Sequence, residues 1–186
     1  MGKAKKPLPV KLVMPMFSGH EELLDEVEKR LRTHWGPTDY KSPRLSFDHT
    51  TYYEEEMGDG LKRQFLSFER LIDPGSIASI KTLTNALETR WSRDGRRRIN
   101  LDPGYIAPAK LVLATTKNHG HRIYLDQGIY AEVTLMYREG DFRSLPWTYP
   151  DYRTEDYREI LHTIREIYMT QLDELRHAGK LTRRLD

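Results

Sequence analysis

The chain contains no cysteine. That absence removes a disulfide framework, a thiol nucleophile and a thiolate metal site together, and is compatible with a reducing compartment. Long apolar runs are missing too. Behind the basic head Met1-Gly2-Lys3-Ala4-Lys5-Lys6 there is no apolar stretch of signal-peptide length, polar and proline positions interrupt residues 8–17, and no run approaches a membrane span. The expectation is a soluble, cytoplasmic protein with no membrane partner. Nor does one sign of charge dominate: 30 Lys and Arg face 28 Asp and Glu, a formal net charge of +2, so any recognition of an anion must be local. The signatures G-x-x-x-x-G-K-[ST], G-x-G-x-x-G after a strand, G-x-S-x-G and H-E-x-x-H do not occur. Standard NTPase, dinucleotide, serine-hydrolase and zinc-protease sites are thereby set aside. Internal repeats and low-complexity segments are absent as well.

What is present suits one domain: 186 residues can bury a single substantial core. That domain is expected at 10–178, between a flexible basic tail at 1–9 and a charged tail at 179–186. Residues 10–17 are apolar enough for a buried strand, with Pro15 near its end. Ser18 and Glu21 have capping-box spacing ahead of Leu23, Leu24, Val27 and Leu31, which predicts a helix over 19–33. The patterns at 44–53 and 62–72 read as antiparallel strands. Asp73-Pro74 opens a second helix, striped by Ile77, Ile80, Thr84 and Leu87, that runs to about residue 91. Strands follow at 97–106, broken by Pro103-Gly104, and at 109–116, then a hairpin of 122–125 with 129–137 across Asp126-Gln127-Gly128. After a loop at 145–152, a final helix at 154–177 carries Tyr157, Ile160, Leu161, Ile164, Ile167, Tyr168, Leu172 and Leu175 on one stripe. The pattern predicts a single α+β domain with a largely antiparallel sheet, a ferredoxin-like β-α-β-β-α opening, an added β-meander and a long C-terminal helix.

Chemistry-bearing residues concentrate at the strand ends. Asn100 and Asp102 share a strand face before Pro103-Gly104, although Asp-Pro-Gly is also plain turn chemistry. Glu54, Glu55 and Glu56 form a solvated edge or, with Glu54 and Glu56 on one strand face, a carboxylate pair able to hold a divalent cation. His49-Thr50-Thr51 is half of a two-histidine phosphoesterase signature and lacks its second half; His119-Gly120-His121 is a lone H-x-H. Arg90, Arg93, Arg96, Arg97 and Arg98 form the densest positive cluster. It reads equally as a solvated helix end or as a phosphate-binding patch, with Trp91 and Tyr105 near enough to stack a base.

The segments Thr51-Tyr52-Tyr53-Glu54-Glu55-Glu56-Met57-Gly58, Asn100-Leu101-Asp102-Pro103-Gly104-Tyr105, Leu113-Ala114-Thr115-Thr116-Lys117-Asn118, His121-Arg122-Ile123-Tyr124-Leu125 and Gly128-Ile129-Tyr130-Ala131-Glu132-Val133-Thr134-Leu135 resemble DUF4416, a bacterial domain of unknown function. The likeness runs through nearly the whole chain and implies no activity that can be transferred. Two hypotheses follow from the residues. In the first, a small enzyme or binding protein takes a phosphorylated or nucleotide-like metabolite. Asp102 and Glu56 do the acid/base work or hold Mg²⁺, His121 joins them as a catalytic residue that helps neutralise the anion, Asn100, Lys117 and Arg122 meet it, and Tyr53 and Glu132 orient it. In the second, a non-catalytic module binds RNA or a protein through Arg93, Arg96, Arg97 and Arg98 and exposed Trp91, Trp147, Tyr149 and Tyr152. The first predicts one pocket; the second predicts an open basic and aromatic surface.

Overall fold

Every residue of β1 (Lys11–Ser18) is buried, so this strand has to be covered on both faces and paired on both edges. The computed structural model describes residues 2–48 and 53–181. After β1 come α1 (Glu21–Trp35), β2 (Thr38–Lys41), β3 (Leu45–Ser46), α2 (Glu54–Met57), β4 (Lys62–Phe68), α3 (Ile77–Trp91), β5 (Asn100–Leu101), β6 (Gly104–Ala107), β7 (Lys110–Thr115), β8 (Ile123–Asp126), β9 (Ile129–Arg138), β10 (Asp141–Ser144) and α4 (Glu155–His177). They build one α+β unit around a ten-stranded sheet in the order β10-β9-β7-β6-β1-β4-β2, with β3 beside β4, β5 beside β1 and β8 beside β9. Among the described residues each of these pairings is antiparallel.

Strand alternation divides β1 between two cores. Leu12, Met14 and Met16 face Leu23, Leu24, Val27 and Leu31 of α1 and Ile77, Ile80 and Leu87 of α3. Val13 points the other way and joins Phe65, Ile106, Leu111 and Leu135 under Tyr157, Ile160, Leu161, Ile164, Tyr168 and Leu172 of α4. Each of those α4 side chains contributes about 2 kcal/mol by leaving water, which holds the long helix on the sheet. At the far end of β1, Phe17 gathers Phe47, Met57 and Leu61, with Tyr53 against them.

Segments far apart in sequence meet at β1. Lys11, fully buried, donates through Nζ to Asp39 and to Gln171 Oε1 at 2.8 Å, and Ser67 Oγ donates to Asp39 Oδ1 at 2.6 Å. Burial pulls the Lys11 pKa below its ordinary value, against the raising effect of Asp39. One turn away the Tyr168 hydroxyl donates to Pro9 O at 2.9 Å.

A gap in the ladder beside β1 shapes the rest. β6 pairs with β1 as far as Val13↔Gly104, and pairing resumes in β5 at Met16↔Leu101. Pro15 and Pro103 fall in the interval, and neither has an N–H, so the interruption orphans no donor at those two positions. Asp102 N still donates to Pro15 O at 2.9 Å. On its other edge β6 stays tight against β7: a Cβ on Gly104 would lie 2.4 Å from Val112 O and 2.6 Å from Leu113 Cδ2. β7 is paired to β6 up to Leu113↔Gly104, and β5 has no pairing with it.

Several expectations change. Among the described residues of the strand expected at 44–53, Leu45–Ser46 alone form a strand; residues 49–52, including the half-signature His49-Thr50-Thr51, lie outside the described residues. The three glutamates begin a helical turn, with Met57 N donating to Tyr53 O at 2.8 Å. Helical spacing is what brings Tyr53 and Met57 together onto Phe17. Glu54 and Glu56 therefore do not share a strand face. The capping box does not form either: His20 is the N-cap, and Ser18 Oγ instead accepts from His20 N at 2.9 Å and donates to Arg98 O at 2.6 Å. Pro15 sits inside β1, not near its end. β2 and β10 were not foreseen. Three two-residue turns repeat one conformation, Asp94-Gly95, Gln127-Gly128 and Glu139-Gly140, each with positive φ at both positions as type I′ hairpins require.

Candidate functional site

The interval between β5 and β7 opens into a cavity of about 690 Å³, within the range of small-molecule sites. Asn100 and Asp102 line it from the β5 side, Leu113, Ala114, Thr115, Thr116 and Lys117 from β7 and its end, and Arg122 and Glu132 from β8–β9. Lys81, Asn85 and Glu88 reach in from α3, Arg63 from β4, and Tyr149, Asp151 and Tyr152 from the segment before α4.

α3 closes the exposed edge of β5. Lys81 Nζ donates to Leu101 O at 2.7 Å and Leu101 N donates to Glu88 Oε1 at 2.7 Å, so two side chains seven residues apart on one helix replace a missing neighbouring strand. Burial raises the Glu88 pKa, with Lys81 and the Leu101 N–H pulling the other way. Asp102, one residue further, accepts from Asn100 Nδ2 at 2.7 Å and lies 3.6 Å from Lys81 Nζ and 3.6 Å from Arg63 Nη1.

Arg63 enters from the face that α4 covers. Its guanidinium lies against both Phe17 at 4.7 Å and Phe47 at 4.5 Å, two rings that stack on each other, and Nη2 donates to Asp151 Oδ2 at 3.4 Å. The side chain is 4 % exposed, yet among the described residues Nε and Nη1 have no hydrogen-bond acceptor. Unsatisfied buried donors on a charged group are costly, about 1–3 kcal/mol each, and need an explanation.

Two further arginines are fully engaged. Arg97 grips Glu56 in a fork, Nε to Oε1 and Nη2 to Oε2 at 2.8 Å each, while Nη1 donates to Asn100 Oδ1 at 3.0 Å. The hydrogen bonds from Arg97 hold the Glu56 carboxyl below its usual range. Arg122 donates to Glu132 Oε2 at 2.8 Å, to Lys117 O at 3.0 Å and to the Tyr149 hydroxyl at 2.8 Å. Glu132 is buried and also meets His121 Nε2 at 2.9 Å, and the His121 ring stacks on Trp147 at 5.0 Å. Burial, with Asp102 close by, pushes the Tyr53 hydroxyl up to about 12.

Of the residues expected in the metabolite site, Tyr53, Asn100, Asp102, Lys117, Arg122 and Glu132 line this one cavity, as do Arg97, Tyr149 and Tyr152 from the binding-module hypothesis. Glu56 and His121 do not; Glu56 acts on the wall through Arg97, and His121 through Glu132. Among the described residues no three His, Asp or Glu side chains group to hold a metal ion. Tyr152, expected at the surface, is buried, and Trp91 is half-buried against the α1–α3 core with Nε1 donating to Glu26 at 3.0 Å. Sequence reasoning missed Arg63, Lys81, Glu88 and Asp151. The available signal was a lysine and a glutamate bordering the apolar stripe of α3, and an arginine within the run Arg63-Gln64-Phe65-Leu66.

No helix among the described residues is long and apolar enough to cross a membrane. No curated protein and no solved structure matches the chain. The segments around Tyr53, Asp102 and Glu132 fall within residues 8–168, the span matched by the model of the family described as Domain of unknown function (DUF4416), and the chain belongs to that family.

Proposed function

We propose that the cavity between β5 and β7 binds a small phosphorylated, nucleotide-like metabolite. The observation that carries this reading is Arg63: a buried guanidinium lining the cavity whose Nε and Nη1 make no hydrogen bond among the described residues, with the Asp102 carboxylate at 3.6 Å from Nη1 as its nearest ion pair there. Lys81 spends one N–H on Leu101 O and lies beside the same space, and Lys117 and Arg122 line it further out. Asp102, shared at 3.6 Å by Arg63 and Lys81, is the acid/base candidate, with Asn100 fixing its orientation. Tyr53 and Glu132 orient the ligand, the latter by locking Arg122. Glu56 and His121 are positioning residues in this reading, and Mg²⁺ enters as a companion of the ligand's phosphate rather than as a metal on a protein cluster.

The alternative, an RNA- or protein-binding module, needs an open aromatic surface, and the burial of Tyr152 and the docking of Trp91 reduce it. The test is thermal denaturation against nucleotides, sugar phosphates and short RNA, with and without Mg²⁺. A ligand at a hundred times its Kd adds about 2.7 kcal/mol, or about 5–10 °C for a chain of this size. A small phosphate compound should give such a shift in the wild type and none in Arg63→Met. If every small phosphate compound leaves the melt unmoved and only RNA shifts it, the reading is wrong.

A further inference from the structure

Beside the cavity lies a second hollow of about 500 Å³, lined by His20, Glu56, Met57, Asp94 and the arginines 93, 96, 97 and 98. Arg97 lines both spaces, so this residue stands between them. The hollow is built on fixed backbone. Arg93 and Arg96 exchange N–H···O bonds of 3.0 and 2.9 Å across the Asp94-Gly95 turn, Ser18 Oγ holds Arg98 O at 2.6 Å, and Glu56 Oε1 holds Arg97 N at 3.2 Å. Among the described residues, Arg93, Arg96 and Arg98 make no ion pair, although most of the other arginines near the site do. In a chain with a net charge of only +2, four arginines against the two carboxylates of Glu56 and Asp94 in this lining are a local excess of positive charge.

Resting on the reading of the cavity as a phosphate site, we propose that its ligand carries a chain of phosphates, one seated at Arg63 and Lys81 and the next ones passing Arg97 to the rim of Arg93, Arg96 and Arg98. Two anionic subsites joined by one arginine bind a linked polyanion far better than separate phosphates, because the second contact is made at high effective concentration. The substrate class is therefore a nucleoside di- or triphosphate or another polyphosphate, and not a monophosphate.

Calorimetric titration with orthophosphate, pyrophosphate and tripolyphosphate tests this directly. Wild-type protein should bind tripolyphosphate at least tenfold more tightly than orthophosphate. Arg93→Ala/Arg96→Ala, whose altered side chains are exposed, should lose that advantage and keep its orthophosphate affinity, while Arg30→Ala/Arg32→Ala on α1, which removes the same charge elsewhere, should behave as wild type. If orthophosphate binds and Arg63→Met abolishes it, but chain length brings no gain or the gain survives in Arg93→Ala/Arg96→Ala, the polyphosphate proposal falls and the phosphate cavity stands. Loss of the gain in the α1 control as well would reduce it to general charge attraction and overturn it. If none of the three probes binds in an Arg63-dependent way, the cavity reading itself falls.

Discussion

Glu88 is where burial, charge and the edge of the sheet meet, and replacing it separates those contributions. Its Oε1 accepts from Leu101 N at 2.7 Å and its Oε2 lies 3.6 Å from Arg97 Nη1, with the residue 6 % exposed. Glu88→Ala removes a charge-assisted hydrogen bond and leaves the Leu101 N–H buried with no acceptor, a loss of about 3 kcal/mol. Glu88→Gln keeps an acceptor of the same shape and should stay within about 1 kcal/mol of wild type near neutral pH. The pH dependence runs opposite to that of an ordinary salt-bridged carboxylate. Because burial raises the folded pKa above 4.5, the native state binds the proton more tightly than the unfolded chain. The ionised form carries a penalty that is absent below the unfolded value and fully expressed above the folded one. Wild type should therefore lose stability relative to Glu88→Gln as pH rises from the unfolded value of 4.5 through the folded one. Urea unfolding of the three proteins across that range reads both effects. Equal loss in the Ala and Gln variants would refute the hydrogen-bond argument, and a difference between wild type and Gln that is flat or grows in favour of wild type with pH would refute the burial argument.

Gly104→Ala should cost about 3 kcal/mol in thermal or urea unfolding, because its Cβ would press on Val112 O and Leu113 and force β6 away from β7; a loss below about 1 kcal/mol would mean the strands yield freely. Glu56→Gln should destabilise by about 1 kcal/mol at neutral pH. Its native pKa is depressed, so the wild-type advantage is present above the unfolded value of 4.5 and should vanish as pH falls through the folded one; an advantage that persists in strong acid would disprove the Arg97 pairing.

Elements with a long, one-sided apolar pattern were legible in the sequence. The stripe of α4, the Leu23-to-Leu31 face of α1, the hairpin over Gln127-Gly128 and the antiparallel sheet are all present, because periodicity records which face is buried. Short elements governed by tertiary context were not. Thr38–Lys41 is a four-residue polar edge strand with no apolar alternation to betray it, and Glu54–Met57 is a single helical turn chosen by packing on Phe17. At the site the same division holds. Asn100, Asp102, Lys117 and Arg122 stand at visible strand ends, whereas Arg63, Lys81 and Glu88 are charged side chains inside elements that read as core, and only the gap beside Pro15 and Pro103 explains why charge is needed there.

The central position of β1 sets a problem for a chain made from its first residue to its last. Lys11–Ser18 leaves the ribosome ahead of its partners, apolar on both faces, but Val13 pairs with Ser67, Lys11 pairs with Ile106, and Lys11 is completed only by Gln171. At cellular elongation rates the strand waits roughly ten seconds for its second neighbour and longer for the helix that seals it. During that interval it is a sticky segment without a sheet, and a holdase chaperone should capture nascent chains that end before β6 far more often than the released protein.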